Sequence, residues 1–285
     1  MDELTEEEIK ILSKIPRRPA NYAYLSGNAE YPFKMPHYVE YLKSLDYMGL
    51  YREKEIRLPV SLEVQNKAEI LLATKTRDYA DNRLTNGAVL AIDIKTGAVL
   101  AWVGSSSFSD EEHSGQIDGV LVENQPGSSM KPFLYALALE RGYAANDVLP
   151  DIPTEFGFDA LYVPQNFNNR YNGPIRFRVA LASSLNVPAV YLLNEIGLEN
   201  YRKKLFELGF NSLEGQDTGL SLALGGAEVS LFEMVQAFSV FPRDGQFIPI
   251  VPKEISYGAE NNDKNFNSVY SPDTCRLMCI ILSDD

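Results

Sequence analysis

The run Pro126–Gly142 (PGSSMKPFLYALALERG) limits the possible folds more than any other stretch of the chain. From Phe133 to Leu139 it is apolar on every side of a helix, so the helix it forms must be enclosed in a core rather than laid on a surface. The other elements therefore have to wrap around it, and a chain of 285 residues is long enough to do so. The head of the same run is polar. A Pro-Gly turn precedes Ser128, and Lys131 follows three residues later.

That spacing places Ser128 and Lys131 on one helical face, where hydroxyl and amine can meet within a turn. Burial at the head of an apolar helix disfavours the ammonium form and lowers the lysine pKa, which makes Lys131 a candidate base for a Ser128 nucleophile. The positive end of the helix favours an oxyanion formed beside Ser128. Such a pair requires no histidine and no cofactor. Ser at a helix start also has a plain structural reading as a cap, but Gly127 before it, which allows close backbone approach, and the wholly apolar helix behind it exceed what a capped surface helix needs.

Composition narrows the function classes. The net charge of −13 argues against nucleic-acid binding and against anionic membrane surfaces. Cys275 and Cys279, four residues apart in an expected helix, are read as two small buried residues rather than a bridge. His37 and His113 have no metal-site spacing, and no metal is expected. Met1–Leu12 is acidic and amphipathic, unlike a signal peptide. No run approaches the ~18 apolar residues that cross a bilayer.

Taken in order, residues 3–15 have helical spacing and stop at Pro16, residues 16–36 read as a linker, and a helix is expected over His37–Met48. Ile56–Leu62 alternates like a short strand and Glu63–Thr74 reads as a helix. Ala88–Ile94 and Ala98–Val103 are near-continuous apolar runs joined by Lys95-Thr96-Gly97, which predicts a hairpin covered on both faces. Residues 146–178 read as a long loop region. In ALASSLNVPAV (180–190), Pro188 is placed to open a helix and Val187 is pushed off helical geometry, so Ser184-Leu185-Asn186 is expected in a connection between helices. There, hydroxyl and amide either point into a cleft or serve as a cap and a turn residue. Helices are expected over Glu199–Leu208, from a Ser230–Glu233 capping box through Phe241, and over Pro272–Leu282.

These phrases together resemble one family. PGSSMKPF (126–133), ALASSLNVPAV (180–190), LALGGAEVS (222–230) and the hairpin sequence VLAIDIKTGAVLAWVGS look like the transpeptidase domain of class A, bifunctional penicillin-binding proteins. HSGQIDGV (113–120) suggests the 1C subgroup. The resemblance runs from about His37 to Asp285, and residues 3–19 look like the closing helix of the preceding glycosyltransferase domain.

The resemblance implies a mixed α/β (α+β) transpeptidase fold of the penicillin-binding-protein and serine β-lactamase kind, an antiparallel sheet with helices on both faces plus a helical lobe. It divides the chain into 1–55, a remnant of the preceding domain and linker, and 56–285, the transpeptidase domain. It makes Ser128 the acylated nucleophile, Lys131 its base, Ser184 a proton relay to the leaving amine, and Asn186 the holder of Lys131 and of the substrate amide. The implied partners are D-Ala-D-Ala stem peptides of peptidoglycan and β-lactams, and the implied location is outside the cytoplasmic membrane through an upstream anchor. The family's third motif, K-[TS]-G-[TS] on a later strand, does not occur in family position. Lys95-Thr96-Gly97 precedes the serine and reads as turn chemistry. Without that strand a sheet edge is expected to stay open. The alternatives are a D,D-carboxypeptidase or β-lactamase type of hydrolase, and an inactive fragment that acts at most by binding.

Overall fold

The computed structural model describes residues 34–45, 58–157, 161–251 and 267–284, and all of these from Met35 onward belong to one compact unit. Its helices and strands, in chain order, begin with α1 (Pro36–Leu45), α2 (Leu62–Asp78), β1 (Val89–Ile92), β2 (Val99–Val103) and β3 (Glu123–Asn124). There follow α3 (Lys131–Glu140), β4 (Val148–Asp151), β5 (Gly173–Arg176), α4 (Phe177–Ala182), α5 (Asn186–Ile196) and α6 (Leu198–Glu207). The series closes with β6 (Val229–Ser230), α7 (Leu231–Phe238) and α8 (Pro272–Leu282). The helix expected over 3–15 lies outside the described residues, as does the 55/56 boundary.

The predicted hairpin forms. β1 and β2 pair antiparallel with Leu90 opposite Trp102 and a register shift after Ala91. Asp93 accepts from the backbone N–H and the hydroxyl of Thr96, and Gly97 takes the positive φ of 75° that closes the turn. Lys95-Thr96-Gly97 is therefore a loop, as its turn chemistry implies.

Both faces of the hairpin are covered. Val64, Ala68 and Leu72 of α2 pack on Ala101 and Val103, while Tyr38 and Leu42 of α1 and Phe232 of α7 pack on the side that holds Val99 and Trp102. Tyr38 and Tyr41 stack on the Trp102 ring at 5.2 and 4.7 Å. The outer edge of β2 is sealed by side chains and loops. Gln65 exchanges two bonds with the Trp102 backbone (2.8 and 3.1 Å), and Ser61 N–H donates to the Leu100 carbonyl. Among the described residues β1 has no strand partner other than β2.

The larger core is built around α3, whose residues Lys131–Ala138 are all buried. Phe133 packs edge-on against Phe210 at 5.4 Å and stacks on Phe241 at 5.7 Å. Two fully buried tyrosines tie the helix to its surroundings, with Tyr201 Oη donating to the Met130 carbonyl and Tyr270 Oη to the Phe133 carbonyl. The Ser230–Glu233 capping box forms as expected, and the Glu233 carboxylate also accepts from the backbone and hydroxyl of Ser212.

Several expectations need correction. Residues 58–61 are not a strand, and Ser61 instead caps α2 through a bond from Val64 N–H. The sheet expected between helices is smaller than predicted, since among the described residues it divides into three two-stranded ladders, β1–β2, β3–β6 and β4–β5. The stretch 146–178 is not wholly loop, because it holds β4 and β5 and runs into α4. Asn186 and Val187 are helical, and Pro188 sits in the first turn of α5, where its missing N–H costs no helix bond. Cys275 is buried, but Cys279 is exposed.

Candidate active site

Ser128 sits one turn ahead of α3 rather than within it. Gly127–Met130 form a tight 3₁₀ turn in which Lys131 N–H donates to the Ser128 carbonyl. Side chains three apart eclipse in such a turn, which sets Ser128 over Lys131. Ser129 spends its hydroxyl on the Pro126 carbonyl at 2.8 Å. The Ser128 hydroxyl is exposed and has no hydrogen-bond partner among the described residues, so it is not acting as a cap.

Lys131 is only 1% exposed, a rare state for a lysine. Its ammonium donates to the Ser184 carbonyl at 2.6 Å, to Asn186 Oδ1 at 2.7 Å and to Ser184 Oγ at 3.2 Å. The amine is thus committed to the second motif rather than to Ser128. Burial holds its pKa down at about 8 against the ordinary 10.5.

The second motif is shaped by a helix end. Ser184 is in the left-handed region with φ of 52°. Its N–H donates to the Leu181 carbonyl and that of Leu185 to the Ala180 carbonyl, the bond pair of a Schellman turn that normally takes glycine. Serine there costs about 1–3 kcal/mol of strain. The turn aims the carbonyl and hydroxyl of Ser184 at Lys131, and α5 starts two residues later with Asn186 at its first position. All four residues expected at the site, Ser128, Lys131, Ser184 and Asn186, therefore occupy one neighbourhood, joined by contacts through Lys131 and by the turn that carries Ser128.

Three further residues complete this arrangement without having been anticipated. Asn166 is buried in the 161–172 segment, where its Oδ1 accepts from Asn186 N–H at 2.8 Å, and its neighbour Gln165 accepts from Asn186 Nδ2 through its carbonyl at 2.7 Å. Asp151, at the end of β4, is fully buried behind Asn166. The LALGG loop packs against the Ser128 turn. Gly225, at φ of 74°, lies so close to Gly127 that a Cβ on it would fall 2.6 Å from the Gly127 nitrogen.

Among the described residues no cluster of His, Cys, Asp or Glu could hold a metal, and no helix is long and apolar enough to cross a membrane.

Residues 87–282 match the family model of the penicillin-binding protein transpeptidase domain. The chain is 37% identical over 162 residues to penicillin-binding protein 1C of Escherichia coli, covering 56% of this chain and 21% of that protein. It is 34% identical over 166 residues to penicillin-binding protein 1A of Neisseria meningitidis, covering 57% and 20%. The chain thus spans about a fifth of the length of these curated relatives. The crystal structure of penicillin-binding protein 1A from Haemophilus influenzae superposes with a TM-score of 0.53 at 32% identity, over 57% of this chain and 24% of that one. The structure of the penicillin-binding protein PonA1 from Mycobacterium tuberculosis shares the fold, with a TM-score of 0.66 at 18% identity over 86% of this chain and 67% of that one. With Ser128 presented on a tight turn above a buried lysine, and with a family match that takes in all four of the expected site residues, the chain belongs to the penicillin-binding protein transpeptidase domain family.

Proposed function

We propose that this domain is a D,D-transpeptidase module of a peptidoglycan-synthesis enzyme, acting outside the cytoplasmic membrane, and that residues 56–285 carry it while 1–55 close a preceding module. One observation carries the reading. Among the described residues Lys131 is the one buried lysine, and it is held against Ser184 and Asn186 while the Ser128 hydroxyl above it is exposed and unpaired.

In this reading Ser128 Oγ attacks the carbonyl carbon between the two terminal D-alanines of a stem peptide, and its proton passes to the neutral Lys131 amine. The Ser128 N–H stabilises the resulting oxyanion. As the C–N bond breaks, the proton returns through Ser184 Oγ to the departing D-alanine nitrogen, leaving an ester on Ser128. An amine of a second stem attacks that ester, loses its proton to the same relay and regenerates the serine. A β-lactam acylates the same oxygen by opening its ring.

With the amine near 8, about a tenth of the protein has the base form at pH 7. The protonated form is inactive as a base, so acylation by benzylpenicillin should rise about tenfold per pH unit from 6 to 7 and level off above the Lys131 pKa. Stopped-flow acylation rates across pH 6–9.5 test this, and a rate flat across that range would remove Lys131 as the base. Product analysis with and without an amine acceptor separates transfer from hydrolysis.

A further inference from the structure

The groups that hold Lys131 are themselves held, and the chain of contacts ends in a buried carboxylate. Asp151 Oδ2 accepts from the backbone N–H and the side-chain amide of Asn172 at 2.8 and 2.6 Å, and its Oδ1 accepts from Asn166 Nδ2 at 2.7 Å. Asn166 Nδ2 also donates to the Arg170 carbonyl at 2.8 Å. Both of its amide protons thus face acceptors, and its Oδ1 has one orientation left, toward Asn186 N–H. That N–H opens α5, whose cap residue Leu185 offers no side-chain acceptor, so Asn166 caps the helix from a distant segment. Gln165 grips the Asn186 amide at the same time, which leaves Asn186 Oδ1 facing Lys131.

We propose that Asp151 and Asn166 are positioning residues for the acylation step: the carboxylate fixes the amide sense of Asn166, Asn166 fixes Asn186, and Asn186 fixes the Lys131 amine. The proposal rests on the reading of Lys131 as the base, but its geometry is separate from it. Asn166 is one of the three donors to this buried carboxylate, and its further bond to Asn186 makes that donation directional. Tyr135, whose hydroxyl is buried without a partner among the described residues, has its pKa raised by burial and by the Asp151 charge.

The arrangement makes a specific prediction about polarity. In Asp151→Asn the new oxygen keeps both bonds from Asn172, and the new NH₂ faces Asn166 Nδ2. Asn166 must then turn over, which presents NH₂ to Asn186 N–H and takes away its acceptor. Adding Asn166→Asp restores an oxygen toward both neighbours but sets it against the Arg170 carbonyl, so the double variant should recover part of what the single one loses. Asn166→Ala removes the acceptor outright while leaving the Asn172 bonds to Asp151 in place.

The experiment measures two things on the full chain and these three variants, with thermal midpoints taken in parallel. The first is benzylpenicillin acylation, resolved into the non-covalent constant and the acylation rate constant. The second is the pH titration of the Lys131 Cε signal by carbon NMR, assigned by its loss in Lys131→Met. Asp151→Asn and Asn166→Ala should lower the acylation rate constant between about tenfold and a hundredfold with the non-covalent constant unchanged, as expected when a reacting group shifts by about 1 Å. The Lys131 titration should move to lower pH, because the ammonium loses a fixed acceptor, and the double variant should return both readouts toward the parent. A folded Asn166→Ala or Asp151→Asn protein with an unmoved Lys131 titration would overturn the proposal, whatever its thermal midpoint. If the parent chain takes no penicillin, the assignment of Ser128 fails, and the titration still decides the positioning claim.

Discussion

Lys131→Met should lower acylation by benzylpenicillin about 10²–10⁴-fold while leaving a folded protein. General-base contributions have that size, and methionine fills the lysine's volume without an ionisable group. Stability should change less than activity. The substitution leaves Asn186 Oδ1 and the Ser184 carbonyl without a donor, at about 1–3 kcal/mol each, but it also relieves the cost of burying an ammonium. Lys131→Arg separates charge from basicity. The guanidinium keeps the donors and never deprotonates, so it should be as inactive as methionine at every pH. Retained acylation in either variant would place the base elsewhere. The titration also has a thermodynamic sign. Because folding lowers the Lys131 pKa from 10.5 to about 8, the unfolded chain binds the extra proton between those values. The lysine therefore contributes to stability increasingly as pH rises from about 8 toward 10.5, and least below 8. Cys275 and the buried tyrosines, whose pKa values folding raises, act in the opposite direction over the upper part of that range, so urea unfolding should show the lysine as a slope more positive in the parent than in Lys131→Met.

Gly225→Ala should be the most damaging single methyl in the protein for its chemistry. A Cβ there would fall inside contact distance of the Gly127 carbonyl and 2.6 Å from the Gly127 nitrogen, against backbone that has no side-chain end to move aside. The residue is also at φ of 74°, where alanine is strained by about 1–3 kcal/mol before any contact is counted. The Gly127–Met130 turn must yield, and with it the Ser128 hydroxyl. We expect a loss of several kcal/mol in stability and, in whatever fraction stays folded, a drop in acylation of about a hundredfold or more, the cost of misplacing a nucleophile by an ångström. Gly215→Ala is the matched control, since φ there is 77° and a Cβ would meet nothing within 4 Å. It shares the backbone strain without the clash, and its acylation should be unchanged. Equal acylation in the two variants would mean that the LALGG loop does not support the serine turn.

What the sequence made legible was local. The apolar run 133–139, the hairpin around Gly97, the Ser230–Glu233 box and the Pro272–Leu282 helix each depend on residues within a few positions of one another, and each forms as read. The errors arise where a distant partner decides. Val148–Asp151 looks like a loop because of its proline, and it is a strand only because Gly173–Arg176 lies beside it. Val187 is helical despite the following proline, because that restriction is a bias and α5 is anchored from Asn166. The same division runs through the site. Ser128 and Lys131 are three apart and visible as a pair. Asn166 looks like any asparagine in a polar loop, and its importance comes from bonds spanning 15 residues to Asp151 and 20 to Asn186. No local pattern encodes such a contact.

The most direct test of the central claim is the intact mass of the chain after incubation with benzylpenicillin, measured beside Ser128→Ala. The account predicts one adduct per chain with the mass of the whole antibiotic, since ring opening expels no atoms. Peptide mapping should place it on Ser128, and the alanine variant should show none. A parent chain that is folded by its thermal transition yet gains no mass, or an adduct that persists in Ser128→Ala, would contradict the assignment of Ser128 as the nucleophile.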